Sequence, residues 1–408
     1  VCLAAAVNAS QPADVAAPIV SDSPIRTPVV PYRQFRRVVA PRELSAEQTD
    51  RPTHTPAGTA AEHAAHAPIY IGYFGPADID DPRGGDAWEG ALLAVEAMNA
   101  DTSARRCELV PFWSPSPWNS AAADIAQAIH RRPLRAVIGG IDGESLHLAA
   151  TIATKARVLL LSGCSTDKSA VLSGVPWVFS CLPDDGRIAS SFVQTAAAHK
   201  WRTVWILSDS SHDSRTFCRE LENALNPRET RLLRKFVVGQ SPLSHEILTA
   251  LSDDAPDVVV VSADPSAAAS WVDGLRHADY AGAVFVGPLA MRRRFFENAT
   301  DDLGNVWGPR LVEQRSDDSF ARRFRQRFGR MPDATAYGTY DAVCLAITAL
   351  RKHGDADCLT LSRYIRRQAP YHGVSGKLIW DTAGSVVRDV PLHDLVALKS
   401  EFREPPAH

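Results

Sequence analysis

Four short segments of this 408-residue chain carry residue types that bind or transform small molecules. Asp209, His212 and Asp213 stand together just past an apolar run. They have the composition of an acid/base pair or of polar ligand contacts, and a solvated loop has the same composition. Ser162-Gly-Cys-Ser-Thr-Asp167 offers hydroxyls, a thiol and a carboxylate at the end of another apolar run. Ser, Thr and Asp are equally the residues of turns and helix N-caps. Gly139-Gly-Ile-Asp-Gly143 lies between an apolar run and a helical pattern, where free backbone N–H groups cradle anions. A glycine-bearing turn without a ligand reads the same. Trp113 and Trp118 bracket a proline-rich loop, placed either to stack on a ligand or to pack against a helix.

Motifs of catalysis are absent. No GxSxG elbow, Walker A sequence, GxGxxG or HExxH occurs, and each of those spacings is what its chemistry requires. The glycines at 139, 140 and 143 do not have dinucleotide spacing, so no nicotinamide cofactor is expected. His54, His63 and His66 show no clean ligand spacing, and no CxxC pair occurs, so no metal and no cofactor are expected. Catalysis by Asp209, His212 and Asp213 would need a nucleophile, a base and an orienting group, and no such set is visible. Binding without catalysis is therefore the expectation. The seven cysteines are an odd number, so at least one thiol is free or paired between chains. With 44 basic and 47 acidic residues, the charge balance gives no reason to expect nucleic acid as a partner. No run approaches the roughly 20 apolar residues of a membrane span.

The elements that must position these residues follow from periodicity. From Pro68 onward, short apolar runs alternate with amphipathic stretches. Ile69–Phe74, Leu109–Trp113, Ala136–Gly139, Val158–Leu161 and Val178–Ser180 read as strands, separated by helices at Asp86–Asn99, Ala121–Ile129 and Ser145–Lys155. The rhythm then restarts with Val204–Ser208, Leu232–Val237, Val258–Ser262 and Val284–Val286, and helices at Ser214–Leu225, Leu243–Ser252 and Ser266–Ala278. Apolar strands alternating with helices predict parallel sheets covered on both faces. Two such runs predict an α/β protein of two doubly wound lobes. Helices at Phe320–Phe328, Ala334–His353 and Thr360–Gln368 follow, then a hairpin over Gly373–Arg388 that turns at Thr382–Ser385. In doubly wound lobes ligands bind at the carboxyl ends of the strands, so facing lobes would hold a ligand in the cleft between them.

Residues 1–67 are different in kind, with 8 of the 28 prolines and only Tyr32 and Phe35 as aromatics. Such a segment cannot bury enough apolar surface to offset its ordering entropy, so a disordered extension is expected. Deleting residues 1–66 should leave the melting temperature nearly unchanged; a drop of several degrees would show that the segment packs on the lobes. Val7-Asn8-Ala9 fits the small-residue pattern of a signal-peptidase site, and so does any alanine-rich stretch.

Several segments together resemble one family, the type I periplasmic binding proteins of the leucine/isoleucine/valine-binding branch, which feed ABC transporters. Ile69-Tyr-Ile-Gly-Tyr-Phe-Gly-Pro76 resembles its first strand, Glu89-Gly-Ala-Leu-Leu-Ala-Val-Glu-Ala-Met-Asn99 its first helix and Ala136-Val-Ile-Gly139 its third strand. Leu160-Leu-Ser162, Pro176-Trp-Val-Phe-Ser180, Tyr340-Asp-Ala342, Gly373-Val-Ser-Gly376 and Trp380-Asp381 follow in the family's order. The resemblance covers about residues 68–400. It implies two lobes joined by three crossovers, near Pro183–Asp185, Pro309–Val312 and Val390–His393, with 68–184 and 312–390 forming one lobe and 185–311 and 391–408 the other. It also implies a non-catalytic solute-binding protein, periplasmic or otherwise exported, free or tethered through Cys2. The expected partners are a small polar or amino-acid-like ligand and an ABC permease, and the expected oligomeric state is a monomer. The same fold also serves ligand sensors and scaffolds with no transport role.

Site residues follow from the resemblance one position at a time. Asp142, Gly143 and Glu144 occupy the loop where the family places a carboxylate-binding serine; Ser145 lies just beyond. Ser165 and Thr166 match the next binding loop. In the second lobe His212 or Asp213 stands where the family has an aromatic, and Asp264 where it has a tyrosine. Leu289 stands where the family has the glutamate that grips a ligand ammonium. Trp113 and Tyr337 complete the set of expected ligand contacts. An unpaired buried ammonium costs several kcal/mol, so the ligand is expected to be held differently from a branched-chain amino acid.

Overall fold

The computed structural model describes residues 67–403 except 114–121, 133, 173, 240–241, 301–302, 314–317 and 355. Residues 1–66 of the expected extension therefore lie outside the described residues, as do Trp118, Cys2, His54, His63 and His66. The six described cysteines are buried and unpaired.

The first sheet is built from β1 (Ile69–Phe74), β2 (Cys107–Phe112), β3 (Ala136–Gly139), β4 (Leu159–Ser162) and β5 (Val178–Ser180). They lie in the order β2-β1-β3-β4-β5, all parallel. The helices between them are α1 (Ala87–Asn99), α2 (Ala122–Arg131), α3 (Gly143–Ala156) and the single turn α4 (Lys168–Val171). After α5 (Asp185–His199) come β6 (Thr203–Ser208), α6 (His212–Ala224), β7 (Arg231–Val237), α7 (His245–Asp253), β8 (Val258–Ser262), α8 (Pro265–His277) and β9 (Ala283–Val286). The second sheet is completed by β10 (Val306–Pro309) after the short helix α9 (Arg293–Asn298), and by the late strand β13 (Leu392–Asp394). Its order is β13-β10-β9-β8-β6-β7, with β13 antiparallel to β10. Val258-Val-Val-Val261 is wholly buried, as a strand covered on both faces requires. β7, at the edge, is half-exposed and carries Arg231, Arg234 and Lys235; such charges suppress edge-to-edge pairing.

Helices α10 (Ser319–Phe328), α11 (Ala334–His353) and α12 (Cys358–Arg367) return to the first sheet. Most residues of α11 are buried all round its surface, which places it in the core rather than on the surface. Its Asp341 accepts hydrogen bonds from the Val374 and Ser375 N–H groups, at 2.8 Å each, and from the Ser375 hydroxyl. These bonds fix a hairpin of β11 (Tyr371–Gly373) and β12 (Gly376–Leu378). The expected turn at Thr382–Ser385 is present as a second reversal, where Trp380 and Val386 form an isolated antiparallel bridge. The tighter turn at Val374–Ser375 has its partner on a distant helix, out of reach of local patterning.

Two apolar cores sit on the two sheets, and the chain passes between them at Cys181–Leu182, Leu311–Val312 and Val386–Val390. The three passages are tied together. The Ser385 hydroxyl donates to Asp184 at 2.6 Å, the Arg310 N–H donates to the Pro391 carbonyl at 2.9 Å, and the Arg388 guanidinium donates to the Ser375 and Leu311 carbonyls. Among the described residues no helix is long and apolar enough to cross a membrane.

Gly163 shows how closely the layers meet. A Cβ there would lie 2.2 Å from the backbone nitrogen of Thr339 in α11. Gly163→Ala should destabilise the protein by about 1–3 kcal/mol through overpacking. A urea midpoint equal to that of the parent would refute this close approach.

Candidate functional site

Strand order reverses between β1 and β3 in the first sheet and between β6 and β8 in the second. The crevice outside the carboxyl ends at such a reversal is where doubly wound sheets bind ligands. Here the two crevices face each other, and residues from one lobe touch residues from the other.

The first wall is the β3–α3 turn. Gly140 has φ of 78°, a left-handed conformation that glycine adopts without strain. Asp142 caps α3: its carboxylate accepts from the Ser145 N–H at 2.8 Å, and the Ser145 hydroxyl closes a reciprocal capping box. That cap leaves the Gly143 N–H pointing outward at the positive end of the helix. It donates to both carboxylate oxygens of Asp213, at 2.9 and 3.0 Å. Asp213 is in the first turn of α6, on the opposite lobe. Burial pushes its carboxyl up to about 6; neighbouring Asp142 adds to this, while the Gly143 bond and Arg292 oppose it. Glu144 follows in the first turn of α3, half-buried.

The second wall is the β4–α4 loop. Asp167 caps α4 through Oδ1, which accepts from the Ser169 N–H at 2.8 Å and its hydroxyl at 2.7 Å. Its Oδ2 faces two imidazoles: His147 Nε2 of α3 at 3.1 Å and His212 Nε2, the first residue of α6, at 2.8 Å. Burial alone would raise the Asp167 carboxyl, but bonds from His147, Ser169 and His212 outweigh it and hold the group well below the usual carboxylate range. The bond to Asp167 raises His147 in turn. The Ser165 hydroxyl accepts from the Asp167 N–H at 3.1 Å, and the Thr166 hydroxyl donates to Asp185 at 2.5 Å. Asp185 is fully buried, and desolvation drives its carboxyl well up. Both hydroxyls expected to meet a ligand are thus bonded within the protein.

Arg292 supplies the third feature. It follows the Pro288–Ala290 turn at the end of β9, the turn that contains half-buried Leu289. Its buried guanidinium crosses to the first lobe and donates to the carbonyls of Arg83 and Ile141. Beside it, Arg293 pairs with Asp86 at 2.9 Å and its N–H donates to Asp333 at 3.0 Å. The strand end where the resemblance placed an acid presents a cation instead.

The remaining expected contacts are bonded or packed within the protein. Asp264 caps α8, accepting from the Ser266 and Ala267 N–H groups, and its own N–H donates to Asp209. Asp209 also accepts from Ser211, so it ties loops together rather than pairing with His212. Trp113 packs on Phe74 with ring centroids 5.1 Å apart. Tyr337 donates to Asp318 at 2.6 Å and lines a separate cavity of about 220 Å³ beside Pro309–Val312. Tyr337, expected among the ligand contacts, shares that cavity with Met291 and Phe296 of the second core and with Asp318 and Ala321 at the start of α10.

Sequence reasoning missed His147, Arg292 and Tyr73 as site residues. The buried Tyr73 hydroxyl, at the end of β1, has no partner among the described residues. The run Arg292-Arg-Arg294 after β9, just past the Pro288–Ala290 turn, was the available signal for Arg292.

Comparison with known proteins adds an independent line. A family model described as periplasmic binding protein matches residues 68–396. No curated protein sequence matches the chain. Among solved structures, the branched-chain amino acid transporter substrate-binding protein LivJ from Streptococcus pneumoniae, in complex with isoleucine, superposes with a TM-score of 0.71 at 20% identity, covering 80% of this chain and 95% of that one. The leucine-binding protein LivK from Thermotoga maritima gives 0.70 at 19%, covering 79% and 94%. A solute-binding protein of an ABC transporter from Rhodopseudomonas palustris, in complex with 3,4-dihydroxybenzoic acid, gives 0.70 at 14%, covering 80% and 92%.

Proposed function

The chain belongs to the periplasmic binding protein family, and from that premise we propose that it captures a small organic acid between its lobes and delivers it to an ABC permease. The observation that carries this reading is the Gly143 N–H at the α3 N-terminus, which holds a carboxylate, that of Asp213, at 2.9 and 3.0 Å. A helix N-terminus with free N–H groups is an anion site, and a solute carboxylate entering the cleft takes the place of Asp213. Similar structures carry isoleucine, leucine, benzoate and 3,4-dihydroxybenzoate; the group common to these ligands is a carboxylate. The mechanism is hinge closure about the three crossovers, driven by higher affinity for the closed state, with no bond made or broken. Export to the periplasm goes with this role.

The ligand ammonium of an amino acid finds Arg292 and Leu289 at the β9 end rather than an acid. Leucine, isoleucine and valine should therefore bind weakly, and acids without an ammonium better. Titration calorimetry of the full chain with benzoate, 3,4-dihydroxybenzoate and the three amino acids decides it. Sub-micromolar affinity for leucine, isoleucine or valine would overturn the charge argument.

A second reading has one observation in its favour: Asp213 supplies from within the chain the contact a solute would make. A ligand sensor or scaffold that uses the lobe–lobe contact itself would bind none of the five compounds.

A further inference from the structure

His147, Asp167 and His212 form a cluster that neither the solute-binding reading nor the family match assigns. His147 and Asp167 belong to the first lobe and His212 to the second, and their ligand atoms all lie within 4.8 Å of one another. We propose that the three side chains bind one divalent transition-metal ion of the Zn²⁺ class across the cleft, and that the ion holds the lobes together.

The donor set fits such an ion. Two imidazole nitrogens and a carboxylate oxygen are ordinary zinc ligands, with bonds of about 2.0–2.2 Å. Tetrahedral donors at that bond length stand roughly 3.3 Å apart. Here the two Nε2 atoms approach the same Asp167 Oδ2 at 3.1 and 2.8 Å, so a change of a few tenths of an ångström brings both N–O separations to that value, and the two nitrogens lie within 4.8 Å of each other. The rings meet edge to face, with centroids 5.3 Å apart, so their nitrogens converge without stacking. The carboxylate is already oriented, because Ser169 occupies Oδ1 and leaves Oδ2 toward the imidazoles. Outer hydrogen bonds of this kind hold metal ligands in place. The Asp167 side chain is fully buried while the imidazoles are 34% and 30% exposed. Solvent thus reaches the site, and a fourth position remains for water or a solute oxygen.

Because the ligands come from both lobes, the ion binds the closed arrangement and not the open one. Mass action then makes it a closure switch: free metal above its dissociation constant draws the population toward the closed form. The inference does not rest on the solute reading, since the metal alone is the probe.

The test uses the full chain, stripped with a chelator, titrated with ZnCl₂ by calorimetry, with the radius of gyration followed by small-angle X-ray scattering. One ion per chain and a metal-dependent contraction are expected. His147→Gln and His212→Gln should each weaken binding by at least about tenfold, the loss that outer-sphere partners alone already cause, and His212→Gln should abolish the contraction. Replacing His54, His63 and His66 with alanine should change neither result. Should a glutamine variant fail to fold without metal, as judged by circular dichroism, Co²⁺ absorption bands of the parent chain report imidazole and carboxylate coordination directly. No saturable binding by Zn²⁺ or Co²⁺, or binding unchanged in both glutamine variants, overturns the site. Binding that survives His212→Gln alone overturns the lobe-bridging role.

Discussion

Asp86→Ala is expected to lower the unfolding free energy by about 3–5 kcal/mol, the usual cost of removing one partner from a buried ion network. The Asp86 side chain is fully buried; its Oδ1 accepts from Arg293 at 2.9 Å and Arg330 at 3.2 Å, and its Oδ2 from the Asp333 N–H at 3.0 Å. Arg330 also pairs with Glu89, itself buried. Burial, with Asp333 nearby, pushes the Asp86 carboxyl up, and the two guanidiniums pull it back. Removing the carboxylate takes away the buried counter-charge that Arg293 and Arg330 share, leaving them Glu297 and Glu89 respectively, and leaves the buried Asp333 N–H without its acceptor; that loss costs more than any single hydrogen bond is worth. Arg293 comes from the second lobe, so the substitution also loosens the lobe contact. Glu96→Ala is the contrast. Glu96 meets Arg327 at 3.4 Å with the two side chains 48% and 56% exposed, and an exposed pair contributes only about 0–1 kcal/mol. Urea unfolding above neutral pH measures both. A loss below about 1 kcal/mol for Asp86→Ala, no larger than that of an exposed pair, would sink the claim that the network stabilises the closed protein.

Asp213→Ala should raise the affinity for an organic acid such as benzoate by about 10–100-fold, because a hydrogen bond to a charged group contributes about 1.5–3 kcal/mol. In the parent chain the Asp213 carboxylate occupies the Gly143 N–H that the incoming carboxylate needs. It also places a negative charge beside the entering anion. Alanine removes both obstacles and leaves the helix N-terminus and Arg292 in place. Calorimetry with benzoate reads the result. A fall in affinity would show instead that Asp213 is itself a ligand contact, as the position of Asp213 in the family pattern implied.

Much of the fold is legible in local pattern because the forces that make its elements are local. Val258–Ser262 reads as a buried strand from four consecutive valines. The termini of α3, α6, α8 and α11 are set by caps that follow within three residues: Asp142, Ser211, Asp264 and Asp333. Segment Ser162–Asp167 was legible as a loop at a strand end, but the fate of its hydroxyls was not. Whether Thr166 meets a ligand or Asp185 depends on the path of the first crossover. Asp264 was equally ambiguous: a carboxylate at a strand end suits a ligand or the next helix, and the cap to Ser266 and Ala267 is the shorter reach.

Spacings of a few residues are enough to read the β/α alternation, the two doubly wound sheets, the glycine-bearing turn before α3 and the absence of catalytic motifs. What fills the cleft follows from contacts between distant parts of the chain. Gly143 meets Asp213 across 70 residues, Asp167 meets His212 across 45, and Arg292 reaches Ile141 across 151. No periodicity links such positions. Their meeting depends on where three crossovers set one lobe against the other, and on side-chain reaches of a few ångströms at the end of that long lever. Charge pairing in the cleft is therefore a property of the closed geometry, and the same residues read along the chain are caps, loops and a run of arginines.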